Sequence, residues 1–118
     1  MILFRHLLFV FMVKCEWFVS GTAITQQQKL VANDGAAGDF FGVEVALDGD
    51  TAVIGASYDD DNGFNSGSVY VFVRSGTTWT QQQKLVANDG TAGDDFGISV
   101  TLDGDTAMIG AKENDDRT

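Results

Sequence analysis

Apolar and polar residues alternate along two stretches of the chain, Phe41–Leu47 (FGVEVAL) and Phe96–Leu102 (FGISVTL). A period of two is typical of a β-strand with one buried face. Each stretch is followed directly by the dipeptide Asp-Gly, which suits the positive φ angles of a tight β-hairpin. The pattern therefore predicts, in two places, a strand that turns back through a hairpin into a second strand.

Two apolar runs lack this alternation, Thr51–Ala56 (TAVIGA) and Ser68–Val73 (SVYVFV). Continuous β-branched and aromatic residues predict interior strands that are buried on both faces. The next segment, Thr78–Ala87 (TWTQQQKLVA), carries Trp79 and Leu85 on one face but is diluted by three glutamines, which predicts an exposed outer strand. Together these segments predict an all-β unit of four antiparallel strands joined by short hairpins.

The chain repeats itself at a constant spacing of 55 residues. The decapeptide QQQKLVANDG occupies Gln26–Gly35 and again Gln81–Gly90, and 31 of 44 positions are identical between Ser20–Gly63 and Ser75–Thr118. Such identity without insertion or deletion indicates duplication of one structural unit. A four-stranded sheet that is apolar on both faces needs neighbouring sheets, and radial stacking of such sheets forms a β-propeller.

The repeats extend over residues 20–118, which is about 1.8 repeats of 55 residues. The predicted fold is a partial β-propeller of antiparallel four-stranded blades. One complete blade is predicted at about 40–87, and a partial blade is predicted on each side of it.

Residues 1–19 form a separate segment in this interpretation. Arg5 and the apolar run Leu7–Val13, followed by small residues that end at Ala23, are typical of a secretory signal peptide. The alternative is a degraded part of a longer repeat array, because Ser20 and the residues after it already match the next copy. A membrane anchor is a third interpretation, although the run is shorter than the roughly 20 residues of a transmembrane helix. We therefore predict no transmembrane span.

A recurring set of short motifs connects these strands to a known family. Asp-x-Phe-Gly occurs at Asp39–Gly42 and Asp94–Gly97, Ile-Gly-Ala ends the second predicted strand, and Gly-Ser-Val-Tyr-Val-Phe ends at Phe72. From Ser20 onward these residues resemble the FG-GAP repeat, which forms the blades of the integrin α-chain head and of many secreted or surface-anchored proteins. Ser57 and Lys112 stand where that motif ends in proline. The resemblance implies an extracellular or cell-surface propeller used for adhesion or partner recognition.

Acidic residues suggest where a metal ion would bind. Integrin-like blades that bind calcium carry Asp-x-Asp-x-Asp-Gly in the first hairpin, whereas this chain has only Asp48 and Asp50 there, too few for the six to eight oxygens that calcium takes. A second cluster places oxygen ligands at alternate positions, Asp59 and Asp61, and Asn65 continues the series. These three residues are the candidate metal ligands, with calcium as the ion. The alternative is a solvated loop in which Asp and Asn side chains form turns.

Composition excludes several other functions. The net charge is −10, and fourteen of the seventeen acidic residues are aspartates, so the surface repels nucleic acid. Cys15 is the sole cysteine and His6 the sole histidine, which excludes an intrachain disulfide and a Ser/His/Asp triad. The strand aromatics are expected to pack between blades rather than to stack on a ligand: Phe41, Tyr70, Phe72, Trp79 and Phe96.

The sequence thus predicts a non-enzymatic propeller module of a secreted or cell-surface protein, a scaffold for adhesion or for recognition of a protein or glycan. No cofactor is expected, and the predicted partners include further propeller blades or copies of the chain itself. The alternatives are an accessory propeller fragment of a larger extracellular hydrolase and a truncated gene product without independent function.

Overall fold

The computed structural model describes the backbone of residues 2–5 and the backbone and side chains of residues 25–112. The described residues form strands and no helix, so none of them forms a helix that is long and apolar enough to cross a membrane. The strands are β1 (Ile2–Arg5), β2 (Thr25–Lys29), β3 (Phe41–Asp48), β4 (Thr51–Ala56), β5 (Ser68–Ser75), β6 (Thr78–Leu85), β7 (Ser99–Asp103) and β8 (Thr106–Gly110).

The central sheet confirms the predicted all-β unit. Its four strands lie in the order β3-β4-β5-β6, and each pair of neighbours is antiparallel. As predicted from the continuous apolar runs, β4 is almost wholly buried, and four of the eight residues of β5 are buried. Strands β7 and β8 form a separate antiparallel hairpin that repeats the pairing of β3 with β4. This is the architecture of a propeller-type blade followed by the first half of a second one.

One face of the central sheet carries the core that joins it to the β7–β8 hairpin. Val53 and Val69 from the sheet form a buried cluster with Val100 of β7. The partly buried residues that pack around this cluster come from both sheets and from the segment before β7: Ala46, Leu85, Phe96, Leu102 and Ile109. The blade and the hairpin are therefore stacked face to face, as the repeat argument required.

Strand β3 forms as predicted, but its larger apolar side chains are not the buried ones. Val43, Val45 and Leu47 are all exposed, whereas the small residue Ala46 faces the core. The prediction that the apolar side of this strand is buried was therefore wrong. The period of two correctly identified the strand, but it did not indicate which side has a neighbour.

The outer strand β6 also differs from its predicted pattern. Trp79 lies opposite Arg74 and contacts its guanidinium, whereas Leu85 lies opposite Val69 and packs on the other face of the sheet. The prediction that Trp79 and Leu85 share a face was wrong because a β-bulge inserts one extra residue, Gln82, between them. One inserted residue moves every later side chain of a strand to the opposite face.

Glycines of the two repeated motifs meet where the sheets approach most closely. Gly97, from the second Phe-Gly pair, adopts a φ of 94° and lies directly against Gly55 of the Ile-Gly-Ala sequence. A Cβ atom on Gly55 would overlap the carbonyl oxygen of Gly97. The Phe-Gly of one repeat therefore packs on the Ile-Gly-Ala of the preceding repeat, and the absence of side chains permits this contact.

Strands β1 and β2 form a hairpin of their own. Ile2 lies opposite Lys29, as Tyr70 lies opposite Lys84 in the central sheet, and both pairings contain a bulge at the corresponding position. In pairing register, β1 and β2 therefore correspond to β5 and β6, the third and fourth strands of a blade. The sequence did not predict β1. The apolar core of the predicted signal peptide and its cleavage position lie outside the described residues.

The contacts within the chain define two compact units, Met1–Leu30 and Val31–Thr118. The first contains the β1–β2 hairpin, and the second contains the complete blade with the β7–β8 hairpin. The predicted boundary between residues 1–19 and 20–118 stays a prediction.

Candidate functional site

Four charged side chains converge at one edge of the complete blade. The Lys84 ammonium lies 2.7 Å from Asp34 Oδ2, 2.9 Å from Asp59 Oδ2 and 2.7 Å from Asp61 Oδ2. The hydroxyl of Tyr70 lies 2.8 Å from Asp34 Oδ1 and 3.1 Å from Asp59 Oδ2. We call these five residues the lysine–aspartate cluster.

Distant parts of the chain supply the cluster. Asp34 follows β2, Asp59 and Asp61 lie in the loop between β4 and β5, and Lys84 comes from β6. The bulge at Gln82 is what brings Lys84 to the face that carries its cross-strand neighbour Tyr70. Without the extra residue the ammonium would point to the opposite face of the sheet.

Two carboxyl groups of the cluster, those of Asp34 and Asp59, are held in their charged form. The hydrogen bond from Lys84 is the largest influence on Asp34, and it holds the pKa of that carboxyl below its usual value. Burial would raise the pKa of Asp59, but hydrogen bonds from Lys84, the Asp61 amide and Tyr70 outweigh it and the pKa is lowered.

The other two groups shift in the opposite direction. Burial would lower the pKa of Lys84, but its hydrogen bonds with Asp34, Asp61, Tyr70 and Asp59 together raise it. Burial also raises the pKa of the Tyr70 hydroxyl, and the two neighbouring carboxylates, Asp34 and Asp59, add to this effect. The cluster is therefore an ion network in which one ammonium bridges three carboxylates.

The structure brings two of the three candidate metal ligands together. Oxygens of Asp34, Asp59 and Asp61 lie within 4.8 Å of one another, which is a grouping that could hold a cation. Asn65 is not part of this group. Its backbone has a left-handed conformation at φ 56°, and its backbone amide donates a hydrogen bond to Asp60 Oδ1. The position between the three carboxylates is taken by the Lys84 ammonium. The donor set therefore does not fit calcium, which needs six to eight oxygens and no competing cation.

The first hairpin, where calcium-binding blades carry their ligands, is also engaged internally. Asp50 Oδ1 pairs with Arg74 Nη2 at 2.6 Å, and Asp48 Oδ2 accepts a hydrogen bond from the Gly104 amide at 2.6 Å. Both carboxylates therefore bind groups of this chain. The second contact joins the hairpin of one repeat to that of the next.

The repeated decapeptide contacts its own second copy. Asn33 and Gln81 exchange two hydrogen bonds of 3.0 Å, from the Asn33 amide to Gln81 Oε1 and from Gln81 Nε2 to Asn33 Oδ1. Next to this pair, Lys84 binds Asp34. We call these two pairings, Asn33 with Gln81 and Asp34 with Lys84, the clasp. The Asn-Asp end of one decapeptide thus binds the Gln-Lys end of the following one.

A surface hollow lies beside the loop between β4 and β5. Its volume is about 270 Å³, and Tyr58, Phe64, Asp60 and Asn65 contribute to its lining together with residues 37–39. Phe40 stacks on Tyr58 with the ring centroids 4.4 Å apart, and Phe64 is 74% exposed. Aromatic rings held in solvent beside carboxylate and amide groups can bind a ligand that has both apolar and hydroxyl surfaces.

This hollow was not predicted from the sequence. The aromatics singled out there pack between strands: Phe41 contacts Tyr70 and Phe72 edge-on, and Trp79 is buried against Arg74. The exposed rings come instead from turn residues. The available signal was that Phe40 interrupts the repeat, since Asp95 occupies the equivalent position in the second copy.

The stacked antiparallel blade and its half-copy define a class, the repeat proteins that are built from propeller-type sheets. The model of the FG-GAP repeat family matches residues 24–72 and 79–118, and the chain belongs to that family. Searches among curated proteins and among solved structures found no match. FG-GAP repeats are in general non-catalytic structural modules, typical of extracellular or cell-surface proteins.

Proposed function

We propose that this chain is a non-enzymatic propeller module of a secreted or cell-surface protein, and that the hollow beside Tyr58 recognises a glycan. The single observation that carries the proposal is the exposed aromatic set. Phe40 is 54% exposed and Phe64 is 74% exposed, although each removes apolar surface from water when it is covered. Exposed large apolar residues beside a hollow are typical of a binding surface.

The chemistry of the hollow favours a sugar over an apolar ligand. The C–H face of a pyranose ring packs on an aromatic ring, and its hydroxyl groups hydrogen-bond to carboxylate and amide side chains. Tyr58 and Phe64 supply rings, and Asp60 and Asn65 supply the polar groups on the same lining. The volume of about 270 Å³ is below the usual range for a drug-sized ligand, so one sugar unit of a longer glycan is the expected occupant.

The binding proposal is tested by titrating the chain with glucose, galactose, mannose, fucose and their short oligomers while following amide chemical shifts. We expect shifts confined to the loop residues around Tyr58 and Phe64 with at least one sugar. The variant Phe64→Ala should abolish these shifts, and Leu47→Ala, at an exposed apolar residue on β3, should leave them unchanged. Unchanged loop resonances with every sugar would overturn the proposal of a glycan ligand.

The proposed location is tested separately. Expression of the full chain in its natural host, followed by fractionation and by intact mass of the recovered protein, gives both the compartment and the N-terminus. We expect recovery outside the cell or at its surface. Recovery from the cell interior alone would contradict the proposed location without bearing on the hollow.

A further inference from the structure

Two strands of this chain, β8 and β1, correspond to the two strands that pair with each other in the middle of the complete blade. Among the residues that the structure describes, β8 pairs only with β7, and β1 pairs only with β2. In the complete blade, the strand equivalent to β8 is β4, and the strand equivalent to β1 in register is β5. These two strands, β4 and β5, pair with each other along six residues.

We propose that the chain assembles head to tail, with β7–β8 of one copy and β1–β2 of a second copy forming one four-stranded blade. The occupant of the free edge of β8 is therefore β1 of a second copy of this chain. This inference rests on the propeller architecture in the proposed function. It adds to that proposal the two strands, β8 and β1, that would join one copy to the next.

The register of the composite sheet follows from the complete blade. In that blade, Val53 lies opposite Val71. Met108 is the repeat equivalent of Val53, and Leu3 takes the place of Val71 in the β1–β2 pairing. Met108 of one copy is thus expected opposite Leu3 of the second copy. Met108 is 72% exposed, so this pairing would cover an apolar side chain that now faces solvent.

The clasp supplies a second, independent observation. Each decapeptide has a Gln-Lys end and an Asn-Asp end, and within the chain the first Asn-Asp end binds the second Gln-Lys end. The other two ends have the same residues as the ends that form the clasp. They are the Gln-Lys end at Gln26 and Lys29 and the Asn-Asp end at Asn88 and Asp89. Lys29 and Asp89 are both exposed, and neither side chain forms an ion pair within the described part of the chain.

The composite blade brings these ends together. Asn88 and Asp89 precede β7, and Gln26 and Lys29 lie on β2, which is the fourth strand of the composite sheet. Asn33 and Asp34 are placed in the same way in the complete blade, since they precede its first strand, β3, and bind residues of its fourth strand, β6. Asp89 of one copy is therefore expected to bind Lys29 of the second, as Asp34 binds Lys84 at 2.7 Å.

The interface is heterologous, so repeated use of it yields a ring if the rotation closes. Pairing of β8 with β1 of the same copy would close a ring of only two blades from the described strands, fewer than the roughly four to eight of propellers, so the pairing is assigned to two different copies.

Charge reversal tests the clasp on the full chain. Asp89→Lys and Lys29→Asp each place like charges across the interface, and each should raise the dissociation constant by about tenfold or more in sedimentation equilibrium. The double variant Asp89→Lys/Lys29→Asp restores opposite charges and should recover association. Glu44→Lys makes the same charge change on exposed β3 and should have no effect. A strictly monomeric wild-type chain, or a double variant no better than the singles, would overturn the proposal.

Disulfide trapping tests the register. In a Cys15→Ser background, Met108→Cys with Leu3→Cys should give intermolecular disulfides, since opposite Cα atoms of paired strands lie within disulfide range. The control pair Met108→Cys with Arg5→Cys is two residues out of register and should crosslink poorly. Equal crosslinking of both pairs would contradict the assigned register. A mature chain that begins at Ile24 would overturn the assembly, because it lacks β1, while the glycan site would be unaffected.

Discussion

The complete blade and the β7–β8 hairpin carry nearly the same sequence in different surroundings. Val53 is 1% exposed, whereas its repeat equivalent Met108 is 72% exposed. Ala52 is fully buried, and its counterpart Ala107 is exposed. The two strands have the same hairpin and the same pairing with the strand before them. Among the described residues, β4 has β5 along its second edge and the β7–β8 hairpin packed on its face, whereas β8 has neither.

The decapeptides show the same contrast. Lys84 is held by three carboxylates, whereas its equivalent Lys29 is exposed. Burial and charge pairing are therefore properties of the completed blade rather than of the residue or of its local sequence. A repeat unit acquires its core and its ion network only when the next strands are in place.

Removal of the Lys84 ammonium should give the largest loss of folding stability. Lys84→Met leaves Asp34, Asp59 and Asp61 facing one another without a counter-ion, and we expect a loss of about 3 kcal/mol in the free energy of unfolding. Urea denaturation at a concentration that keeps the chain monomeric measures this value. The matched variant is Lys29→Met in the first decapeptide, which should change stability by less than about 0.5 kcal/mol. Equal losses in the two variants would contradict the contrast.

The close approach of the glycines gives the next effect. Gly55→Ala forces a methyl group onto the Gly97 carbonyl oxygen, a backbone atom, and should cost about 2 to 3 kcal/mol. In Gly110→Ala the nearest atom is the Ser99 hydroxyl, which can rotate away, so the cost should stay below about 1 kcal/mol. Thermal unfolding of both variants by circular dichroism gives the comparison. A smaller effect at Gly55 than at Gly110 would mean that the two sheets do not meet there.

Truncation of the equivalent side chains Val53 and Met108 should have different effects on stability in the two repeats. Val53→Ala removes two methyl groups from the buried cluster and should lower stability by about 2 kcal/mol. Met108→Ala removes more atoms from an exposed site, yet it should change monomer stability by less than about 0.5 kcal/mol. The two midpoints of urea unfolding decide between these outcomes, and the reverse order would contradict the assigned burial.

The cluster should also impose a pH dependence on stability. The pKa values of Asp34 and Asp59 are lowered in the folded state, so their contribution is present above the ordinary value of 3.8 and is lost as pH falls through the lowered values. The pKa values of Tyr70 and Lys84 are raised, so their contribution is present below 10.0 and 10.5 and is lost as pH rises further. Melting temperatures from pH 2 to 11 should fall at both extremes. Lys84→Met should flatten the acid limb, whereas the Tyr70 part of the alkaline limb should remain because burial and the two carboxylates raise that pKa without the lysine. An unchanged acid limb would show that other groups titrate there.

Calcium should have the smallest effect. Because the Lys84 ammonium already occupies the position between the three carboxylates, millimolar calcium should raise the melting temperature of the wild-type chain little. In Lys84→Met the carboxylates are left without an internal cation, so calcium should raise its melting temperature more. A rise of many degrees in the wild type would show that Asp59 and Asp61 bind the ion despite the lysine.

The strands could be predicted from sequence because their signals are local. Alternation over Phe41–Leu47, the Asp-Gly hairpin and the β-branched run at Ser68–Val73 each require only neighbouring residues, and each predicted a strand that the structure contains. The 55-residue period then predicted the stacking of one unit on another. Burial of β3 was not predictable in the same way, because Val45 and Ala46 both suit an inner face and only the neighbouring sheet selects between them.

The lysine–aspartate cluster lay beyond this kind of reasoning. The alternate spacing of Asp59 and Asp61 suggested a cation, and a cation does lie beside them, but it is the side chain of Lys84. That residue is 25 positions away from Asp59 and 50 away from Asp34. Lys84 reaches them only because of a bulge in a run of three glutamines, and no local sequence pattern predicts the bulge.

Amide hydrogen exchange on equivalent strands tests whether a repeat is completed only by the strands of its neighbour. Strand β4 is bonded along both edges, whereas alternate amides of β8 point away from β7. In dilute, monomeric protein we expect slow exchange throughout Val53–Ala56 and fast exchange at alternate amides of Thr106–Gly110. At concentrations where the chain assembles, β8 should gain the protection of β4. Equal protection of β4 and β8 in the monomer would contradict the account.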